Sequence, residues 1–245
     1  MTQHDNGKLT MLLNNYYSEE GNKVVFTRQQ ASDFAKNIAG DFNPIHDVES
    51  KRFCVPGDLL FAVSLNKYGL SQKMGLTFSG MVTDGTPIIF PPATGKPVTI
   101  HDDKDKAYLT LECSGDTSHD EPLIRALTQN YVEFSGQTFP HILVPLMADN
   151  NVMINPDRPL VIYESMTIDM DRLDVENVTL ALAQARLNVD GKRGNAILEF
   201  NLISDGETVG RGAKSMVLSG LREYDEDKIS RLVEEYSARK KQYLL

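Results

Sequence analysis

The stretch VPGDLLFAVSLNKYGLSQKM, residues 55–74, decides how the chain folds. From Leu59 to Leu65 it is apolar nearly all round, so a helix here is buried on most sides rather than lying on a surface. Pro56, Gly57 and Asp58 stand at its start, where free backbone N–H groups can meet an anion or a polarised carbonyl. After Gly75 the period changes to two. Leu76, Phe78, Gly80 and Val82 alternate with polar neighbours, and Asp84-Gly85 reads as a turn.

Working outward, residues 1–21 form a polar lead-in. Val24-Val25-Phe26 is a short apolar run, and Thr27 with Gln30 makes a capping box for a helix whose apolar positions are Ala31, Phe34, Ala35 and Ile38. Gly40 suits the place just past its end. Asn43 and Pro44 then suit the cap and first position of a second helix, with His46 in its first turn. Asp41 lies in the tight connector, so Asp41 and His46 can point the same way. Downstream, TPIIFPP and KPVTI read as short strands broken by prolines, and KAYLTLECSG alternates again.

The second half repeats this order more loosely. A helical stretch around Leu123–Val132 and a Phe-, Pro- and Leu-rich segment (134–147) precede four strands, at 161–170, 178–189, 196–204 and 208–218. Asp190-Gly191 and Asp205-Gly206 are hairpin turns of an antiparallel meander. At the end, Ile229, Leu232, Val233 and Tyr236 mark one face of a helix expected to dock on the body. The division read from this is a lead-in (1–21), a first unit (22–120), a second unit (121–222) and a terminal amphipathic helix (223–245). Helices first and antiparallel sheet afterwards, twice, is an α+β arrangement.

Composition narrows the function classes. The 245 residues are 41% hydrophobic and 24% charged, with a formal net charge of −9. An acidic chain whose basic clusters are as short as Lys51-Arg52 and Arg239-Lys240-Lys241 is disfavoured as a nucleic-acid binder. No apolar run approaches the roughly 20 residues that span a bilayer, and the N-terminus has no basic-then-apolar leader, so a cytoplasmic location is expected. Cys54 and Cys113 have no CxxC spacing and read as small buried residues. His101 and His119 fall in polar turns, whereas His141 has apolar neighbours and suits a core or interface. No metal-ligand spacing surrounds any of them. GRGAK (210–214) follows a strand pattern, lacks phosphate-loop spacing, and suits close packing or a bulge.

Gly40-Asp41-x-Asn43-Pro44-x-His46 resembles the signature of the MaoC-like, (R)-specific enoyl-CoA hydratases, which have the hot-dog fold. The resemblance is specific over residues 27–65. It implies an antiparallel sheet wrapped around the buried helix and, with two units, a double hot dog. It implies hydration or dehydration of a 2-enoyl/3-hydroxyacyl thioester by an Asp41–His46 dyad, with Asn43 shaping the site and the Gly57 N–H polarising the thioester carbonyl. Coenzyme A would come with the substrate, and no separate cofactor or metal is expected. Lys51 and Arg52 are the basic residues nearest in sequence for its phosphates, and hot-dog units usually pair, so a homodimer is an open expectation. The sequence departs from the family in four places: Pro56 replaces the usual histidine before Gly57, and Asp58 stands where an apolar residue is expected. Val48 holds a usually acidic position, with Asp47 adjacent, and the motif lies in the N-terminal half.

Two other readings remain open from the sequence. One is a thioesterase on the same fold, using Asp41 or Asp58 with the helix start at Gly57. The other is a non-catalytic acyl-thioester-binding or structural protein in which Asp41 and His46 form a satisfied pair.

Overall fold

The structure is a computed structural model and describes residues 13–243; most of the polar lead-in, residues 1–12, lies outside the described residues. Gly57–Tyr68 is a helix whose residues from Asp58 to Leu65 are all buried, as its unbroken apolar surface requires. Around it lie the strands of the first half: β1 (Ser18–Glu20), β2 (Lys23–Val25), β3 (Leu70–Phe78), β4 (Ile88–Ile89), β5 (Val98–Asp102) and β6 (Ala107–Ser118). A second long helix, Glu121–Gly136, is capped by Asp120, which accepts from Leu123 N–H. It precedes β7 (Val152–Met153), β8 (Val161–Met170), β9 (Thr179–Asp190), β10 (Arg193–Ser204), β11 (Glu207–Ser219) and β12 (Arg222–Glu223). Glu226–Tyr243 is the terminal helix.

Ten strands form one antiparallel sheet in the order β1-β2-β4-β5-β6-β3-β8-β11-β10-β9. The four strands after the first helix lie as β3-β6-β5-β4, and the four main strands after the second lie as β8-β11-β10-β9. In each set the last strand returns beside the first. The two leading strands meet antiparallel at the seam, with Gly75 opposite Thr167. This is the α+β, double hot-dog arrangement: two like sheets fused edge to edge, each with its own helix. One core gathers Phe26, Phe34, Phe61, Leu76 and Tyr131, and a second gathers Leu143, Met147, Leu198, Met216 and Ile229. Among the described residues no helix is long and apolar enough to cross a membrane.

Four expectations are corrected. His101 is half-buried within β5 and not in the turn after it, because it pairs with Ile89 of β4. The second helix after Asn43 is only a 3-10 turn, Pro44–His46, because the chain doubles back: Cys54 N–H donates to Ile45 O and His46 is drawn to Cys54 O. Cys113 is exposed, since β6 runs beyond its core after Leu111. His141 is exposed as well: in its short helix, Thr138–His141, Phe139 turns toward Tyr236 with ring centroids 5.3 Å apart, leaving the histidine to solvent.

Candidate functional site

The helix from Arg28 carries the expected capping box at Thr27 and Gln30, then widens into a π-turn over Ala35–Ala39. Gly40 closes it at φ 64°, a left-handed conformation that glycine adopts without a Cβ penalty. The next residue, Asp41, anchors its N–H on Ala35 O at 2.8 Å and offers Oδ1 to the Asn43 N–H at 2.8 Å. Asn43 Oδ1 in turn accepts from Ile45 N–H at 3.2 Å and caps the 3-10 turn. These local bonds bring His46 Nε2 to 3.6 Å from Asp41 Oδ2.

The tautomer of His46 follows from its other nitrogen. Nδ1 lies 2.7 Å from Cys54 O, which can only accept, so Nδ1 carries a proton and donates it there. In the neutral ring Nε2 then presents a lone pair towards Asp41. At 3.6 Å the two are too far apart for a direct hydrogen bond and close enough to share a third polar atom.

Asp41, Asn43, His46 and Gly57 line one cavity of about 440 Å³. Gly57 opens the helix after Pro56, which gives it no side-chain cap; the N–H groups of Leu59 and Leu60 turn back to Pro56 O, whereas those of Gly57 and Asp58 precede the first such bond. A Cβ on Gly57 would stand 2.6 Å from Tyr163 Cδ1, so the glycine lets the second half press against this helix end. Lys51 and Arg52 are exposed and are not among the residues lining the cavity. The basic residue at its wall on the terminal helix is Arg239, which pairs with Asp47 at 3.0 Å, as Lys36 does from the other side.

Two residues of this cavity, Ser135 and Lys214, were not legible in the sequence as site residues; they meet at Asp58, the carboxylate of the thioesterase reading. Asp58 and Lys214 are 6% and 4% exposed, and Ser135, 6% exposed, lies between them. Ser135 Oγ donates to Asp58 Oδ2 at 2.5 Å, and Lys214 Nζ donates to Ser135 Oγ. Lys214 Nζ also sits 3.8 Å from Asp58 Oδ1 and 4.0 Å from the centre of the Tyr163 ring. Burial raises the Asp58 pKa, with Lys214 and the Ser135 hydrogen bond pulling it back; burial lowers that of Lys214, with Asp58 opposing. The charge that Asp58 brings to the helix start is therefore compensated from the second half. The signal for Lys214 was strand period: it shares a buried face with Met216 and Leu218. The rest of GRGAK behaves as read, since a Cβ on Gly210 would lie 2.6 Å from Asp169 O.

Burial pushes the Cys54 thiol up to about 12, so this cavity-lining residue is a neutral thiol and not a nucleophile at ordinary pH. Tyr236 reaches in from the terminal helix. Its hydroxyl accepts from Phe42 N–H at 3.3 Å and lies 3.3 Å and 3.2 Å from the carbonyl oxygens of Gly40 and Gly136.

Among solved structures, the chain is similar to the tesB protein of Mycobacterium avium subsp. paratuberculosis, at 9% identity and TM-score 0.42, over 86% of this chain and 99% of that one. It is similar to a conserved protein of unknown function with hot dog fold from Alicyclobacillus acidocaldarius, at 10% identity and TM-score 0.46, over 85% and 98%. A MaoC-like dehydratase aligns at 8% identity and TM-score 0.40, over 85% and 99%. No curated protein matches in sequence. A family profile described as "Protein of unknown function (DUF3581)" matches residues 11–227, and the chain belongs to that family.

Proposed function

We propose that this protein adds water to, or removes it from, an acyl thioester at Asp41 and His46. The observation that carries the reading is the pair itself: an imidazole whose Nδ1–H is tied to Cys54 O, leaving Nε2 facing a carboxylate oxygen 3.6 Å away on a largely apolar cavity. Hydration of a 2-enoyl thioester needs a base for the water and an acid for Cα, and these two groups sharing one water can supply both. Charge developing on the thioester oxygen needs a donor already in place, and the helix start at Gly57 supports this reading because its N–H would supply one. Adding and removing water are one reaction run in two directions.

A second reading, thioester hydrolysis, is favoured by Asp58, a second carboxylate on the same cavity at the helix start. Product analysis separates the two. After incubation with trans-2-enoyl-CoAs of short and medium chain, the expected product is heavier by one water with its thioester intact. Release of free coenzyme A without that product contradicts hydration and favours hydrolysis; an unchanged substrate contradicts both.

A further inference from the structure

The hydroxyl of Tyr236 holds the backbone on both sides of Asp41. It accepts from the N–H of Phe42, the residue after Asp41, at 3.3 Å, and lies 3.3 Å from the carbonyl oxygen of Gly40, the residue before it. Its one proton is shared between that oxygen and Gly136 O, 3.2 Å away. The ring is fixed as well, with the centroids of Phe42 and Phe139 at 6.1 Å and 5.3 Å. A peptide unit is planar, so the chain at Asp41 turns only at its φ and ψ, between the units that carry Gly40 O and Phe42 N–H. One hydroxyl that bonds both units limits both angles, and with them the direction in which the Asp41 carboxylate leaves the chain. Burial, and after it the Asp41 charge, push the Tyr236 pKa up, so the hydroxyl stays protonated and can donate. Phe42 is buried, and its N–H has no other partner among the described residues. Removing the hydroxyl leaves that donor unpaired, a cost that the peptide unit relieves by tilting.

We propose that Tyr236 is a positioning residue for the reaction: by holding the two peptide units that flank Asp41, it keeps the carboxylate aimed at His46 across the 3.6 Å gap. The inference rests on the acyl-thioester reading above. It gives the terminal helix, which carries neither member of the pair, a part in the chemistry. A gap bridged by one water tolerates little movement, because the water must stay within hydrogen-bond reach of both groups at once. His46 is held separately, on Cys54 O, so loss of the Tyr236 hydroxyl moves one member of the pair against the other. Tyr236 lines the cavity, but its hydroxyl is engaged by three backbone groups, so it acts through Asp41 rather than on the substrate.

The test compares full-length variants in the hydration of trans-2-enoyl-CoAs of short and medium chain. Tyr236→Phe keeps the ring and removes only the hydroxyl. Its kcat is expected to fall at least about tenfold while KM changes less than about twofold, because a misplaced reacting group is read in kcat and not in binding. Ile229→Val is the control: it lies on the same helix, buried in the second core and away from the cavity, so it loosens the docked helix without touching the Asp41 corner. Melting curves show that both variants fold, and Ile229→Val is expected to keep the wild-type kcat. An unchanged kcat in Tyr236→Phe, or an equal fall in Ile229→Val, overturns the inference while the thioester reading stands. A rise in KM alone means that the hydroxyl meets substrate, and it overturns the inference too. If the wild type hydrates none of the substrates, the thioester reading fails, and the inference with it.

Discussion

At the residue scale, the Asp41–His46 pair is held by bonds between near neighbours: Asp41 to Ala35 and Asn43, Asn43 to Ile45, His46 to Cys54. Asp41→Asn keeps an acceptor for the Asn43 N–H but loses the base, and His46→Gln loses the second proton carrier. Each is expected to lower turnover about 10²–10⁴-fold with little change in thermal midpoint, read from initial rates and melting curves. Gly136→Ala tests the support behind the pair. A Cβ there would collide with the Ala39 backbone and lie 3.2 Å from Asp41 N, so a loss of about 1–3 kcal/mol in denaturant unfolding is expected, together with slower turnover. The pair was legible because its parts lie within six residues of sequence. Ser135 and Lys214 were not, because they meet Asp58 only through the packing of distant elements, and a lysine within a strand pattern gives no sign of its partner.

At the scale of elements, the start of the Gly57–Tyr68 helix holds a buried charge that β11 must balance. Lys214→Met leaves Asp58 unpaired, an expected loss of about 3–5 kcal/mol near neutral pH, whereas Asp58→Leu/Lys214→Met removes both charges and is expected to be far milder. The sign of the pH dependence follows from the raised Asp58 pKa. Without Lys214 that pKa rises further above its unfolded value. The penalty is then full above the folded-state pKa and is relieved as pH falls through it. The gap in melting temperature between wild type and Lys214→Met should narrow as pH drops from neutral towards the ordinary carboxylate range; a constant gap would contradict a charged Asp58. The terminal helix acts through Tyr236, and Tyr236→Phe is expected to cost about 1 kcal/mol by chemical denaturation, since its hydroxyl joins the Gly40 corner to Gly136. That this helix docks was legible from its apolar face. That it docks on the motif corner was not, because amphipathicity shows which face is covered and not by what.

At the scale of the molecule, the repeated strand order and the seam between β3 and β8 explain why one half cannot make the cavity. The first half supplies Asp41, His46, Gly57 and Asp58, and the second supplies Ser135, Tyr163 and Lys214 to the same wall. The duplication was legible from the order of helix and strand patterns, whereas the edge-to-edge join was not, since neither seam strand differs in sequence character from its neighbours. Under the function proposed above, this shared cavity hydrates an enoyl thioester through Asp41. The most direct measurement follows the conjugated enoyl absorbance of trans-2-enoyl-CoAs mixed with the wild type and, in parallel, with Asp41→Asn. Loss of absorbance is expected with the wild type and almost none with the variant. Equal loss with both, or no loss with either, would contradict it.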